Sequence, residues 1–464
     1  MAKKKWGDFL LRIEDTDKAR STKMYEDGIL DSLRWFGLDR DGGPEKDNGK
    51  WPYFQMQRLE IYNQYLQKLL DSWAAYYARE TTEELDAMRE LANAQKKPFR
   101  FRRREYTQQE LDLYKEEGRK PVVRLEMDIH KVVTFTDLIK NESSFKMSEF
   151  GDLVIVKSDG IPTYHFAVVV DDIEMWVTHV IRGEDHFTNT AKHICIYEAL
   201  WNTELPIYAH LPLMLNPHTG KKMSKRDTDI WLTLVPDFRD AWFLPEAITN
   251  FIAFIWRNPG TEQEIFSIQE LIEAFDISRV QKSNARYDFN RALWFNSEYM
   301  KRLSDEDFVQ KAKDYIYIYG DEQWKEIIEN SDDAYRLTFA SDIKMRTQTF
   351  AQFRDYGKYL FIRPAFVDEE MVCREKMKIT PEIVAKFLPD LIHLLDHMTA
   401  EQRDRENLKT ELVSFIKAKE LKNGQVLRPV RAILTGVEAS PWAFEMLDIL
   451  GKEESIVRLK EYLA

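Results

Sequence analysis

The chain has 464 residues, with 67 Lys plus Arg against 79 Asp plus Glu, 44% apolar residues and 13% aromatics. At roughly 150 residues per domain this length fits about three structural units, and the apolar content excludes a disordered chain. A net charge of −12 disfavours a protein that coats nucleic acid by charge alone, while leaving room for a local basic face. No stretch approaches the ~18 consecutive apolar residues of a membrane span, and the lysines near Met1 are followed by no apolar signal-peptide segment, so the expected location is the cytoplasm, with no membrane partner. Two cysteines, Cys195 and Cys373, rule out a disulfide framework or a cysteine cage for a metal and are expected to be buried as small hydrophobes. Neither a Gly-x-Gly-x-x-Gly nor a Walker spacing occurs, so a nucleotide site here needs other means.

The first element is a short apolar run, Phe9, Leu10, Leu11 and Ile13, closing on Glu14, Asp15, Thr16 and Asp17, as a strand buried on both faces would. Ile29, Leu30, Leu33 and Phe36 before Gly37 predict an amphipathic helix with a glycine stop. After a turn-rich stretch, Leu59, Tyr62, Leu66, Leu69, Leu70 and Trp73 predict a second helix. From about residue 75 to 150 the chain turns charged and basic, which reads as an insertion. Strands are expected again at residues 153–156, 166–170, 176–181 and 207–211, with a helix near 190–201. Beyond Val235 helical periodicity dominates to the C-terminus. There is no internal repeat or low-complexity tract.

Three charged clusters close apolar runs. In Arg12-Ile13-Glu14-Asp15-Thr16-Asp17, carboxylates at a strand's carboxyl end could hold an amine or a metal-bound phosphate, or merely cap the next helix. In Arg182-Gly183-Glu184-Asp185-His186, the arginine offers a planar fork for a carboxylate and the acids can hold it or an ammonium group, or the charges serve structure alone. Tyr164 could donate to the same ligand or be packed. In Lys221-Lys222-Met223-Ser224-Lys225-Arg226, four cations and a hydroxyl on a loop suit the charge that grows on a triphosphate, or a solvated surface. A basic run, Arg100, Arg102, Arg103 and Arg104 with Phe99 and Phe101 between, fits phosphate contact plus stacking on RNA as well as a solvated edge strand.

Taken together these blocks resemble the bacterial glutamyl-tRNA synthetases, which are class I aminoacyl-tRNA synthetases. The matching segments occur in the family's order: residues 9–17 with Ser21; residues 160–172 running on to Arg182-Gly183-Glu184-Asp185-His186; Lys222-Met223-Ser224-Lys225-Arg226; Phe275-Asp276 through Ala285-Arg286-Tyr287-Asp288 to Trp294-Phe295-Asn296; and Gly424-Gln425-Val426-Leu427-Arg428-Pro429 to Thr435-Gly436, then Ser440-Pro441. The resemblance implies an α/β catalytic domain of the Rossmann type with a parallel sheet, N-terminally truncated, an α+β insertion and an all-α anticodon-binding region. It places catalytic segments at 1–74 and 166–234, an acceptor-stem domain at 75–165, a stem-contact region at 235–302 and anticodon binding at 303–464. The implied partners are ATP with Mg²⁺, L-glutamate and tRNA(Glu), met by a monomer. By motif, Glu14 would hold the substrate α-ammonium, Arg182 and Tyr164 its side-chain carboxylate with Asp185 beside them, and Lys222, Ser224, Lys225 and Arg226 the ATP phosphates, while Arg100, Arg102, Arg103 and Arg104 would face tRNA.

Two departures from the family pattern shape the expectations. The family's first strand, its arginine-and-serine loop and its His-Ile-Gly-His helix start have no counterpart in the sequence, so weak ATP binding is expected of the chain as it stands. The rivals on the same residues are an impaired fragment, half of a split synthetase and a non-catalytic tRNA-binding protein. A relative that glutamylates a modified tRNA base is disfavoured by the helical region after residue 300. Near Ala78 and Glu80, where many relatives carry zinc-binding cysteines, there is none, so no zinc is expected.

Overall fold

In a computed structural model of the chain, residues 1–237 with 248–289 form one unit and residues 238–247 with 290–464 a second. The model describes residues 1–17, 22–202, 204–224, 232–257, 260–320, 322–330, 337, 340–399, 401–403, 405–437 and 440–463. Lys225, Arg226 and Ser21 lie outside the described residues.

The first unit begins with the apolar run expected to be a strand. Ile13 is buried, but among the described residues the run makes isolated parallel bridges, Leu10 to Gly42 and Ile13 to Phe54, and no continuous ladder. Its partners are loop segments, which satisfy single backbone groups without building a strand pair. Helices α1 (Lys23–Trp35) and α2 (Leu59–Asp71) follow as expected. A three-stranded antiparallel sheet then joins β1 (Ala75–Ala78), β2 (Val122–Leu125) and β5 (Leu153–Val156). Between β1 and β2 stand α3 (Thr82–Ala94) and α4 (Gln108–Glu116), each started by a threonine capping box. Strands β3 (Val132–Asp137) and β4 (Asn141–Lys146) form a hairpin that joins a different sheet.

That second sheet has the order β4, β3, β7, β6, with β6 (His179–Gly183) and β7 (Ile207–Leu211) parallel and β3 parallel to β7 at Asp137 and Tyr208. Helix α6 (Phe187–Ala199) carries the crossover from β6 to β7, and α5 (Tyr164–Glu174) leads from β5 into β6. The expectation of a strand over 166–170 is corrected: Phe166, Ala167, Val168, Val169 and Val170 are buried on all sides within α5. A helix enclosed on every face lacks an apolar stripe, so its sequence reads like a strand buried on both faces. The strand expected from Trp176 starts only at His179, because Trp176 takes a left-handed backbone (φ 58°) that closes the turn after α5. Cys195 and Cys373 are half-buried at the edges of their cores, not fully enclosed as expected.

In the second unit the described residues form helices over Asp305–Tyr319, Ala351–Phe361, Pro381–His397, Arg405–Ala418, Asn423–Thr435 and Ala443–Leu463, among others. They enclose one core that includes Phe308, Phe350, Phe387, Leu391, Val426, Ile433 and Met446. The buried Arg458 guanidinium donates to the carbonyls of Leu434 (2.7 Å), Leu360 (3.0 Å) and Tyr359, and so bonds carbonyls in the last turns of two helices. Among the described residues no helix is long and apolar enough to cross a membrane.

Candidate active site

Strands β6 and β7 lie in register with Arg182 opposite His210, which sets the arginine near the carboxyl end of two parallel strands, the end at which open α/β sheets bind ligands. All its N–H groups are engaged. Arg182 Nε donates to His210 Nε2 (3.1 Å), Nη2 to Thr190 Oγ1 (2.8 Å) and the His186 carbonyl (3.2 Å), and Nη1 to Tyr164 Oη and His193 Nδ1 (3.4 Å each). The two longest contacts both fall on Nη1. His210 Nδ1 in turn lies 2.6 Å from Asp137 Oδ2.

Glu14 reaches the same neighbourhood from the first segment. Its carboxylate accepts from Arg12 Nη2 (3.0 Å), and Arg12 also pairs with Asp172 (3.0 Å) and Asp171 (3.4 Å) at the end of α5. Asp171 is fully buried and accepts from Arg58 Nε (2.6 Å), Gln55 Nε2 and Tyr62 Oη (2.9 Å each). Burial pushes the Asp172 carboxyl up to about 6, against the opposite pull of Arg12. Asp15 accepts the Met56 N–H at 2.8 Å and Glu14 is aimed by Arg12, so these two carboxylates are engaged away from α1.

Tyr164 opens α5 and stands between these groups. Burial raises its hydroxyl pKa, with the negative charge of Glu14 adding and Arg182 opposing. His186 packs on the Tyr164 ring at 5.6 Å; burial lowers its pKa, Asp185 and Glu14 pull it up, and Arg182 and Lys222 push it down. Glu14, Tyr164, Arg182, Asp185 and Lys222 therefore share one electrostatic neighbourhood, as the sequence reading requires. A Cβ at Gly183 would lie 2.6 Å from Asp185 Oδ1, so glycine there lets the carboxylate fold back over the strand end.

The lysine loop is anchored from both sides. β8 (Met214–Leu215) pairs in parallel with β9 (Ala285–Arg286) and bridges back to Lys222 in antiparallel sense. Asn216 is buried and its Oδ1 accepts the N–H groups of His218 (2.8 Å) and Thr219 (3.0 Å), which holds the turn. Tyr287 donates its backbone N–H to Leu215 and its hydroxyl to the Leu232 carbonyl, each at 3.0 Å. Lys222 leaves this hairpin to donate to Asp185 Oδ2 at 2.6 Å, which lowers the Asp185 pKa. Ser224 is exposed at the end of the described segment.

The basic run is not an edge strand; it makes a set of intramolecular pairs. Arg102 binds Asp152 (3.0 Å), Arg103 binds Glu126 (3.0 Å), and Arg104 binds Glu80 (2.8 Å), Glu110 (2.9 Å) and the Tyr114 hydroxyl (3.0 Å). Arg100 is exposed and donates to the neighbouring Phe99 carbonyl at 2.8 Å. Glu80, at a position expected to lack zinc ligands, accepts from Arg104 and Tyr106, and the described residues contain no group of three or more His, Cys, Asp or Glu side chains suited to a metal.

Arg12, Asp137, Asp171, Thr190, His193 and His210 were not singled out by sequence reasoning. A signal existed for two of them: Asp137 and His210 sit at the ends of apolar strands, as Arg182 does.

Comparison with known proteins assigns the chain to a family. Residues 1–294 match the family described as tRNA synthetases class I (E and Q), catalytic domain, and residues 307–463 match an anticodon binding domain. The chain belongs to the class I aminoacyl-tRNA synthetases. It is 37% identical to a glutamate–tRNA ligase of Thermodesulfovibrio yellowstonii, over 98% of this chain and 92% of that protein, and 34% identical to the Bacillus subtilis glutamate–tRNA ligase, over 99% and 93%. A crystal structure of a glutamate tRNA ligase from Elizabethkingia meningosepticum in complex with its amino acid superimposes with a TM-score of 0.88 at 31% identity, covering 99% of this chain and 93% of that one. Within the class, the chain is thus a member of the glutamate–tRNA ligase family. Matches that span both the catalytic and the anticodon-binding modules do not favour the impaired-fragment rival.

Proposed function

We propose that the chain joins L-glutamate to tRNA(Glu) in two ATP-dependent steps, and that Glu14, Tyr164, Arg182, Asp185 and Lys222 form its substrate pocket. The supporting observation is that residues from four separate segments meet at the carboxyl ends of β6 and β7. Glutamate's α-carboxylate attacks the α-phosphorus of ATP, pyrophosphate leaves, and the terminal adenosine of the tRNA then takes the acyl group. In this reading Glu14, held by Arg12, receives the α-ammonium group. The Nη1 edge of Arg182, whose contacts are the longest, and the Tyr164 hydroxyl receive the side-chain carboxylate. Glutamine would place an amide there, and a half-buried, oriented cation is poorly matched by a neutral group.

Lys222, Ser224, Lys225 and Arg226 are assigned to the ATP phosphates, with Lys225 the principal cation in the transition state. Mg²⁺ would come with the phosphates: Asp185, the carboxylate that Lys222 contacts, is already neutralised by that lysine and offers no cage of its own. Residues 75–165 are assigned to the acceptor stem, with Arg100, Arg102, Arg103 and Arg104 on its RNA side. Residues 235–302 are assigned to stem contact and 303–464 to the anticodon. The site of action is the cytoplasm and the working state a monomer.

Glutamate-dependent ATP/pyrophosphate exchange, run with tRNA present, tests the pocket. Glu14→Gln is expected to raise KM for glutamate by about tenfold or more, the value of one charge-assisted contact. Lys225→Ala is expected to slow exchange by about a hundredfold while leaving tRNA binding intact. Exchange that is unchanged in both variants would overturn the assignment.

A further inference from the structure

Asp137 and His210 are 1% and 0% exposed, and neither has a place in the chemistry above. Asp137 Oδ1 accepts the backbone N–H groups of Lys140 (2.8 Å), Ile139 (2.9 Å) and His210 (3.3 Å). All three partners are donors, so this oxygen is an acceptor, and Oδ2 is left for His210 Nδ1 at 2.6 Å. At the other side of the ring, Arg182 Nε approaches His210 Nε2 at 3.1 Å. A guanidinium has donors and no acceptor. The imidazole is therefore fixed from both sides: its proton is on Nδ1, toward the carboxylate, and its lone pair is on Nε2, toward the arginine. Thr190 Oγ1 lies 3.2 Å from the same Nε2 and accepts from Arg182 Nη2 at 2.8 Å, so its own proton also points to that lone pair.

We propose that Asp137 and His210 are positioning residues for glutamate recognition: they set the tautomer that accepts from Arg182 Nε, hold the plane of the guanidinium, and so turn its Nη1 edge toward the substrate carboxylate. The inference rests on the reading of Arg182 as the anchor of that carboxylate. The relay runs across the sheet. Asp137 ends β3, His210 lies in β7 and Arg182 in β6, so three neighbouring strands deliver one oriented cation. Orientation matters because a planar fork recognises a carboxylate only when its N–H vectors point at the oxygens.

A purely structural role predicts something different for one substitution. In Asp137→Asn the backbone N–H donors still require an oxygen at the Oδ1 position, so the new NH₂ stands where Oδ2 was and donates to His210 Nδ1. The imidazole proton then moves to Nε2 and faces the Arg182 Nε–H, donor against donor. In His210→Gln the amide oxygen can accept from Arg182 without any tautomer to set, and adding Asp137→Asn to it changes nothing further.

The test is glutamate activation by the full chain with tRNA present, with glutamine as competitor and KM and kcat separated. Asp137→Asn is expected to raise KM for glutamate about tenfold with kcat changed less than about threefold, and to narrow the preference over glutamine. His210→Gln is expected within about threefold of the parent, and the double variant to match His210→Gln. KM in Asp137→Asn within twofold of the parent, or a double variant as impaired as Asp137→Asn, overturns the relay. Arg182→Gln separates the two levels: if it abolishes glutamate binding while Asp137→Asn leaves KM within twofold of the parent, only the relay fails, and if it leaves KM unchanged, the reading of the pocket fails with it. The ¹⁵N shifts of the imidazole in the parent protein give a reading that needs no variant, and a protonated Nε2 on His210 would refute the proposal.

Discussion

Lys222 Nζ lies 2.6 Å from Asp185 Oδ2, joining the loop after β8 to the end of β6. Both side chains are substantially exposed, 55% and 39%, so this ion pair adds at most about 1 kcal/mol to folding. Contact with a phosphate whose charge grows in the transition state is worth more, about ten- to a hundredfold in rate. Lys222→Ala is thus expected to leave the melting temperature nearly unchanged and to lower kcat/KM for ATP by that factor. A loss of stability with unchanged ATP kinetics would assign Lys222 to the fold instead.

Arg12 presents the opposite case. Its side chain is only 13% exposed and faces Glu14, Asp171 and Asp172. Arg12→Met keeps the bulk and leaves buried carboxylates without their counter-charge, which costs about 3–5 kcal/mol. Urea unfolding of the first unit should show that loss, and a change below about 1 kcal/mol would mean that Arg58, Gln55 and Tyr62 alone satisfy these acids.

The buried imidazoles give a stability that depends on pH. His165 Nδ1 lies 3.0 Å from His193 Nε2, and burial, reinforced by Lys192 and Arg182, lowers the His165 pKa to about 4; His193 is lowered too, again chiefly by burial. Between pH 6.5 and about 4 an unfolded chain takes up a proton at His165 that the folded chain refuses, so stability falls as pH falls through that window. The melting temperature is expected to drop between pH 7 and pH 5. His165→Asn, whose Oδ1 can accept from His193, should show a shallower slope, and a slope equal to the parent's would exclude His165 as a source.

The arginine run divides by its partners. Arg104 is held by Glu80, Glu110 and Tyr114, whereas Arg100 and Arg103 are exposed. Removing Arg100 and Arg103 together is expected to weaken tRNA binding and to lower its salt dependence by about one to two in log–log slope. Arg104→Ala should lower stability and leave that slope alone. Binding measured across a salt series separates the two outcomes.

The elements most legible from sequence were those with one apolar face. Leu59, Tyr62, Leu66 and Leu69 mark α2 because one side of that helix packs and the other meets water. The run from Phe166 to Val170 misled because α5 is enclosed all round and carries no such asymmetry. The site divided in the same way. Glu14, Tyr164, Arg182, Asp185 and Lys222 were visible as polar groups beside apolar runs or in motifs of known order, and they do assemble.

The motif blocks along the chain were therefore enough to point to the family, and the apolar patterning to the α/β and helical halves and to the polar groups that close apolar runs. The tertiary structure alone decided how those side chains are aimed. His210 is 28 residues from Arg182, and Asp137 is 73 from His210; they meet only because β3, β7 and β6 pair side by side. Local sequence sets which face of an element is apolar, but hydrogen-bond direction at Arg182 depends on strand register between distant segments, and no local pattern encodes that register.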